Sequence, residues 1–324
     1  MLRWGLIAPG RIARRFADAF AVLPAQRLHR VAGRDFAKAQ AFAAEWGGIA
    51  LPTIEQLCAD PEVDIVYVAS PHSHHFDQAA MALRAGKPVL CEKSLTPDPA
   101  SAAMLMAIAR ERGRFLMEAV WSRFLPAWRR VQQLLEQGAI GRVQRVQSSF
   151  CFAPAYDPAS RLFDPKLAGG ALLDIGIYNL NLTAWIMRLA GQGALRDWAV
   201  DGRLAPTGVE QQVDGQLRFD GGATAAFVCR LDGLSANALQ IEGSEGWIEL
   251  PEGFWHAQRL RWQRRGDAVR DEDHAFRRNG FEEEMSACAE ALEAGWLEHP
   301  QMPLADTLET LTLIAAMRAR LGAT

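Results

Sequence analysis

The chain has 324 residues, 49% hydrophobic and 23% charged, enough for two domains with ordinary cores and no reliance on disulfides or metals. Its net charge of -3 carries no footprint for nucleic acid or an anionic membrane, which excludes both as partners. Cys58, Cys91, Cys151, Cys229 and Cys288 are scattered without a C-x-x-C pair, and the opening "LRWGLIA" lacks a signal-peptide pattern, so reduced thiols and a cytoplasmic protein are expected.

Along the first 120 residues, short apolar runs alternate with helical patterns: "WGLIA", "RIARRFADAF", "RLHRVAG", "DFAKAQAFAAEW", "VDIVYVAS", "FDQAAMALRAG", "PVLCE", "SAAMLMAIARERG" and "RFLME". Continuous Val, Ile and Leu runs suit strands buried on both faces, and strand-helix alternation implies a parallel sheet with right-handed crossovers. The fold class is therefore α/β, with a doubly wound Rossmann domain over 1–120. After Trp121 the rhythm changes. A helix over 127–137 leads into "RVQRVQSSFCF", then a Gly-Gly turn and helix at "AGGALLDIGIYNLNLTAWIM". Strands follow over 210–219, 223–230, 237–242 and 246–250, with a hairpin joint at Asp220-Gly221-Gly222. Helices over 281–294 and 303–321 close an α+β domain, 121–324, built on a mostly antiparallel sheet.

Three stretches carry chemistry. "GLIAPGRIA" runs from strand to helix and places Gly5, Gly10 and Ala13 where a dinucleotide-binding turn needs small residues, with Ala8 standing for the first glycine. In "VAGRDFAK", Arg34 ends the second strand and Lys38 lies one helical turn on; two cations suit a 2′-phosphate, so NADP is expected over NAD. The alternative is a solvated helix start capped by Asp35, a carboxylate that also suits NAD.

"LCEKS" sets Lys93 at the carboxyl edge of the parallel sheet, where open α/β folds bind ligands. There it serves as an ammonium donor to a substrate oxygen, or as an ordinary ion-paired lysine. "GGALLDIGIY" puts Asp174 and Tyr178 on one helix face, suited either to acid-base work or to a cap and a core tyrosine.

"SPHSHH" clusters His72, His74 and His75, but these spacings do not converge on one face, so a loop beside the cofactor is expected and no metal. Eight of the ten tryptophans lie from Trp121 onward; Trp121 and Trp255, the latter placed beyond the last strand, are candidates for a substrate pocket. Apolar strands near Trp247 suit isologous pairing, and a homodimer through the second sheet is expected.

The set "GLIAPGRIA", "SPHSHH", "LCEKS", "EAVWSRF" and "GGALLDIGIY", in this order, resembles the glucose-fructose oxidoreductase/inositol dehydrogenase/MocA (Gfo/Idh/MocA) family of NAD(P)-dependent oxidoreductases, nearest its dimeric dihydrodiol dehydrogenase and D-xylose dehydrogenase subgroup. The likeness covers essentially the whole chain. It implies that Lys93, Asp174 and Tyr178 are catalytic and that Trp121, Tyr178 and Trp255 meet substrate. It also implies that Ala8, Gly10, Arg11, Ile12, Arg34, Lys38, Ser70, Pro71, His72, His75, Glu92 and Lys93 line the cofactor.

The implied activity is hydride transfer between NADP(H) and a carbinol carbon of a sugar or cyclic trans-diol. A silent dinucleotide-binding sensor, or a glucose-fructose type of enzyme with tightly held cofactor, is the alternative. Ser94 replaces the family's proline; since a cis bond costs a non-proline residue roughly 2.5 to 4 kcal/mol, a trans Lys93–Ser94 bond is expected.

Overall fold

A computed structural model describes residues 1–324. The apolar runs of the first third form the parallel sheet they imply. Its strands are β1 (Leu2–Ile7), β2 (Gln26–Ala32), β3 (Ile49–Ala50), β4 (Ile65–Val68), β5 (Val89–Glu92) and β6 (Leu116–Ala119), ordered β3-β2-β1-β4-β5-β6. This is the doubly wound order whose direction reverses beside β1, where such folds bind ligands. Every residue of β4, β5 and β6 is buried, as expected of strands covered on both faces.

The intervening helices are α1 (Arg11–Ala19), α2 (Phe36–Trp46), α3 (Ile54–Ala59), α4 (His75–Arg84) and α5 (Pro99–Arg112). Sequence patterning passes over β3 and α3: two residues and six are too short to establish a period.

Beyond them come α6 (Pro126–Glu136), β7 (Val143–Cys151), a π-helical turn (Leu172–Gly176) and α7 (Ile177–Leu189). Seven strands follow: β8 (Leu195–Leu204), β9 (Glu210–Phe219), β10 (Thr224–Arg230), β11 (Leu239–Gly243), β12 (Gly246–Leu250), β13 (Arg259–Arg264) and β14 (Arg270–Asp273). The last helices are α8 (Phe281–Glu293) and α9 (Leu304–Leu321). The second sheet runs β14-β13-β12-β11-β7-β10-β9-β8, antiparallel except where β10 meets β7. β9 alternates buried and exposed residues over most of its length, the mark of one covered face.

The two edges depart from expectation. β8, β13 and β14 lie outside the expected strands, because charged residues such as Arg196, Asp197, Asp201, Arg270 and Asp271 mask any apolar alternation there. Trp255 accordingly lies in the β12–β13 connection and not beyond the last strand.

The chain forms two compact units. One is Met1–Trp121 with Arg277–Leu308; the other is Ser122–Phe276 with Glu309–Thr324. This corrects the continuous second domain over 121–324. The reason is local: α8 packs on α1, with Phe281 edge-on to Phe16, and Arg278 forms a two-pronged pair with Asp18 at 2.9 and 2.6 Å. No helix is long and apolar enough to cross a membrane.

Candidate active site

β1 ends in a turn where Ala8 takes φ +68, the left-handed conformation that glycine occupies without penalty. The Gly10 N–H donates to the Ala8 carbonyl at 2.8 Å, so the dinucleotide-type turn is kept with a Cβ in place. Gly10 begins α1 with no side-chain cap and no acid in the first turn, which leaves the amides of Arg11 and Ile12 at a positive helix end. A Cβ on Gly10 would meet nothing nearer than the Ala8 oxygen at 3.9 Å. At the carboxyl end of β4 the Ser70 hydroxyl is buried without a hydrogen-bond partner. An uncapped helix start, open space above it and an orphaned hydroxyl fit a dinucleotide.

Arg34 is exposed just after β2, and the Lys38 ammonium is 3.7 Å from Asp35 Oδ2. Asp35 caps α2 by accepting the Lys38 N–H at 3.1 Å.

Lys93, half-buried, follows β5 on a loop clamped from three sides. His72 Nε2 donates to the Lys93 carbonyl at 3.2 Å, and His75 places Nδ1 2.8 Å from the Ser94 carbonyl and Nε2 2.7 Å from that of Ser70. Glu118 accepts the Leu95 N–H at 2.8 Å and the Thr307 hydroxyl at 2.7 Å. The Lys93–Ser94 peptide is cis, which corrects the trans expectation. The carbonyls on both sides of it are taken by buried histidines, so the loop's surroundings and not a proline define it. Burial pushes the His75 ring below the ordinary histidine pKa, opposed by the two carbonyls.

Beneath this loop lies a carboxyl cluster with no counterpart in the sequence reading. The Tyr67 hydroxyl donates to Glu92 Oε1 at 2.5 Å, and the tyrosine ring stacks on Phe16 at 3.8 Å. Glu284 on α8 is fully buried with neither oxygen partnered. Burial, reinforced by the Glu92 charge, raises its carboxyl well above the ordinary range.

Trp121 is 5% exposed; its ring lies 4.8 Å from Phe281, with the Arg15 guanidinium over both rings at 5.2 and 5.3 Å. His29, Asp60 and Glu62 gather ligand-type atoms within 4.8 Å, but Arg30 already pairs with both carboxylates at 2.5 and 2.9 Å.

In the other unit, Asp174 stands in the π-helical turn and Tyr178 in the first turn of α7, so the shared face spans a widened turn and not one regular helix. The Asp174 side chain is 7% exposed, and its Oδ1 takes a hydrogen bond from Arg161 Nη1 at 2.7 Å. Glu210 accepts the Leu172 N–H at 3.1 Å and faces Arg318 Nε at 3.4 Å, tying down the start of the same turn.

Tyr178 is 6% exposed, its ring 6.0 Å from Phe150, on which Trp255 stacks at 3.4 Å. Trp255 is fixed by its own backbone: Ser122 Oγ donates to its carbonyl at 2.6 Å, and Trp128 Nε1 donates to that of Phe254 at 2.7 Å. Asp174 and Tyr178 thus stand on one short segment, with Trp255 reaching the tyrosine through Phe150. Arg161, Glu210, Phe150, Tyr67 and Glu284 escaped the sequence reading because no local pattern links them to the motifs. Glu118, inside "EAVWSRF", was within its reach.

Residues 2–120 match the family model described as oxidoreductase family, NAD-binding Rossmann fold, and 128–249 match the Gfo/Idh/MocA C-terminal domain. The chain is 32% identical to trans-1,2-dihydrobenzene-1,2-diol dehydrogenase of Mus musculus, over 100% of this chain and 98% of that one. The chain belongs to the Gfo/Idh/MocA oxidoreductase family. The Danio rerio member of the same name is 37% identical over 78% of this chain and 75% of its own.

Among solved structures of the family, an aldose-aldose oxidoreductase from Caulobacter crescentus, complexed with glycerol, superposes with a TM-score of 0.87 at 28% identity, covering 98% and 96% of the two chains. A 3-ketoreductase from Actinomadura kijaniata, in complex with NADP and TDP-benzene, gives a TM-score of 0.85 at 28% identity, covering 98% and 97%. The chain is thus an oxidoreductase of this family with an NAD(P)-type Rossmann domain.

Proposed function

We propose that this oxidoreductase moves a hydride between NADP(H) and a carbinol carbon of a sugar or cyclic trans-diol, with Lys93, Asp174 and Tyr178 as its catalytic groups. The observation that carries the reading is the pairing of a buried carboxylate with a phenol at the start of α7, in a chain whose parallel sheet also ends in a clamped lysine. When bound, the dinucleotide accepts or returns the hydride at its nicotinamide ring. The first-turn amides at Arg11 and Ile12 hold its diphosphate, Arg34 and Lys38 its 2′-phosphate, and Ser70, Pro71, His72, His75 and Glu92 flank its nicotinamide end.

Tyr178 takes the hydroxyl proton as a carbinol is oxidised and gives it back in reduction. The Lys93 ammonium favours phenolate and polarises the substrate oxygen, while Asp174 orients substrate or lysine. Trp121 and Trp255 present flat faces to the ring of the substrate. The protein works in a reducing, cytoplasmic setting, supported by five unpaired buried cysteines. It pairs as a homodimer through its second sheet, where Trp247 lies half-buried on β12.

The test is turnover of NADP and NAD, separately, with D-xylose, D-glucose and a cyclic trans-diol. NADP-dependent oxidation of at least one is expected. Binding of NADPH with no turnover on a broad carbonyl panel would instead make the protein a sensor. The aldose-aldose oxidoreductase likeness favours one further reading, hydride shuttling between two sugars, which protein purified with bound nicotinamide would support.

A further inference from the structure

We infer that Arg161 is a positioning residue of this site, acting through Asp174; the inference rests on the oxidoreductase reading and extends it. The two partners sit in unlike surroundings. The Asp174 side chain is 7% exposed and that of Arg161 is 46% exposed, with Arg161 Nη1 2.7 Å from Asp174 Oδ1. A carboxylate so far from water needs charge-assisted hydrogen bonds to keep its charge and its aim, and the guanidinium supplies one from the solvent side. Exposed ion pairs seldom matter, but this carboxylate is not exposed.

The route by which the chain delivers Arg161 is built for closeness. Between β7 and the π-helical turn there is no long regular element, yet Phe163 is 1% exposed and packs edge-on against Tyr156 at 5.0 Å. The Ser160 carbonyl accepts the N–H groups of Phe163 and Asp164 at 3.0 and 2.9 Å, and the Leu162 carbonyl accepts that of Gly170 at 2.9 Å. A Cβ on Gly169 would lie 2.7 Å from the Leu162 oxygen, and one on Gly170 would strike the Glu210 carboxyl. The Gly-Gly pair therefore lets the backbone beside Arg161 lie flat against the start of the turn that carries Asp174. Glu210, the other carboxyl beneath that turn, faces Arg318, so each carboxyl has its own arginine.

The experiment is a double-mutant cycle on the full chain with NADP and whichever substrate the panel identifies. Arg161→Ala should lower kcat about 10- to 100-fold, as a misplaced group does, with the KM for NADP unchanged. Arg161→Lys should recover part of the loss. Because the arginine's place is half open to solvent, low concentrations of guanidinium should rescue Arg161→Ala.

In an Asp174→Ala background the same change should cost no more than about twofold, since the acceptor that Arg161 holds is gone. An undiminished loss in that background, or a rise in substrate KM with kcat intact, overturns the inference while leaving the enzyme reading standing. Should Arg161→Ala fail to fold, Arg161→Lys and Gly169→Ala carry the same cycle. A wild-type protein without turnover overturns the oxidoreductase reading, and this inference with it.

Discussion

The loop that carries Lys93 and the turn that carries Asp174 hold the proposed reacting groups by different physics. Around Lys93 the grip is on backbone groups: His72 and His75 meet the carbonyls of residues 93 and 94, and Glu118 holds the next N–H. His72, His75 and Glu118 are 7%, 0% and 0% exposed, so salt and solvent have little access to them. Around Asp174 the grip is a charge on a side chain, supplied by an arginine 46% exposed on an irregular segment. A carbonyl clamp fixes where the chain goes, whereas a charge pair acts on the side chain itself. The lysine's identity and the aspartate's partner are therefore the sensitive points.

The sharpest break of this comparison is removal of the proposed reacting groups. Lys93→Met and Tyr178→Phe should each lower kcat by about 10² to 10⁴, the range for a lost acid-base group, with NADPH binding retained by fluorescence titration. An active Lys93→Met variant refutes the lysine's role.

The clamp comes next. His75→Leu removes the ring that faces the Ser70 and Ser94 carbonyls and should cost about 1 to 3 kcal/mol for the buried hydrogen bonding lost, read as a drop in urea midpoint together with slower turnover. Unchanged stability would mean that the loop is held elsewhere.

A smaller effect sharpens the contrast through pH. The Glu284 carboxyl is raised above its ordinary 4.5, so the folded state holds a proton that the unfolded chain releases. Its contribution is full below that ordinary value and is lost as pH rises toward the folded one. Glu284→Gln, which mimics the protonated acid, should flatten this decline: its melting temperature should match wild type below pH 4.5 and exceed it increasingly as pH rises. Equal slopes would show Glu284 ionised in the fold.

At the far edge of β14 the sign reverses. Glu272, held down to about 2 against the cost of its partial burial by Arg130, Trp262 and His274, stabilises above its ordinary 4.5 and stops doing so as pH falls toward 2. Glu272→Gln should therefore lower stability at neutral pH and lose that deficit in acid. Smallest is the exposed pair after β2. Arg34→Ala with Lys38→Ala should weaken NADP by about tenfold, near 1.4 kcal/mol, and leave NAD unchanged. Equal loss for both cofactors would remove the charge argument for NADP.

Much of this was legible along the chain. Buried strands announce themselves as unbroken Val, Ile and Leu runs, and "GLIAPGRIA", "LCEKS" and "GGALLDIGIY" place a turn, a lysine and an acid-phenol pair at element ends. The charged edge strands β8, β13 and β14 were not legible, since exposed strands carry no apolar period. Nor was Glu284, whose residue type signals a solvated helix face and whose actual surroundings are the buried interior beneath β5.

By itself, the order of residues determined the doubly wound unit and the mostly antiparallel sheet, because periodicity and turn chemistry are local properties of the chain, and it singled out the proposed reacting groups. Only tertiary structure decided their surroundings: the histidine clamp, the burial of Glu284, the return of α8 to the first unit and the arginine beside Asp174. Burial and hydrogen-bond partners are made between segments far apart in sequence, and the desolvation that gives them their strength exists only once those segments have met.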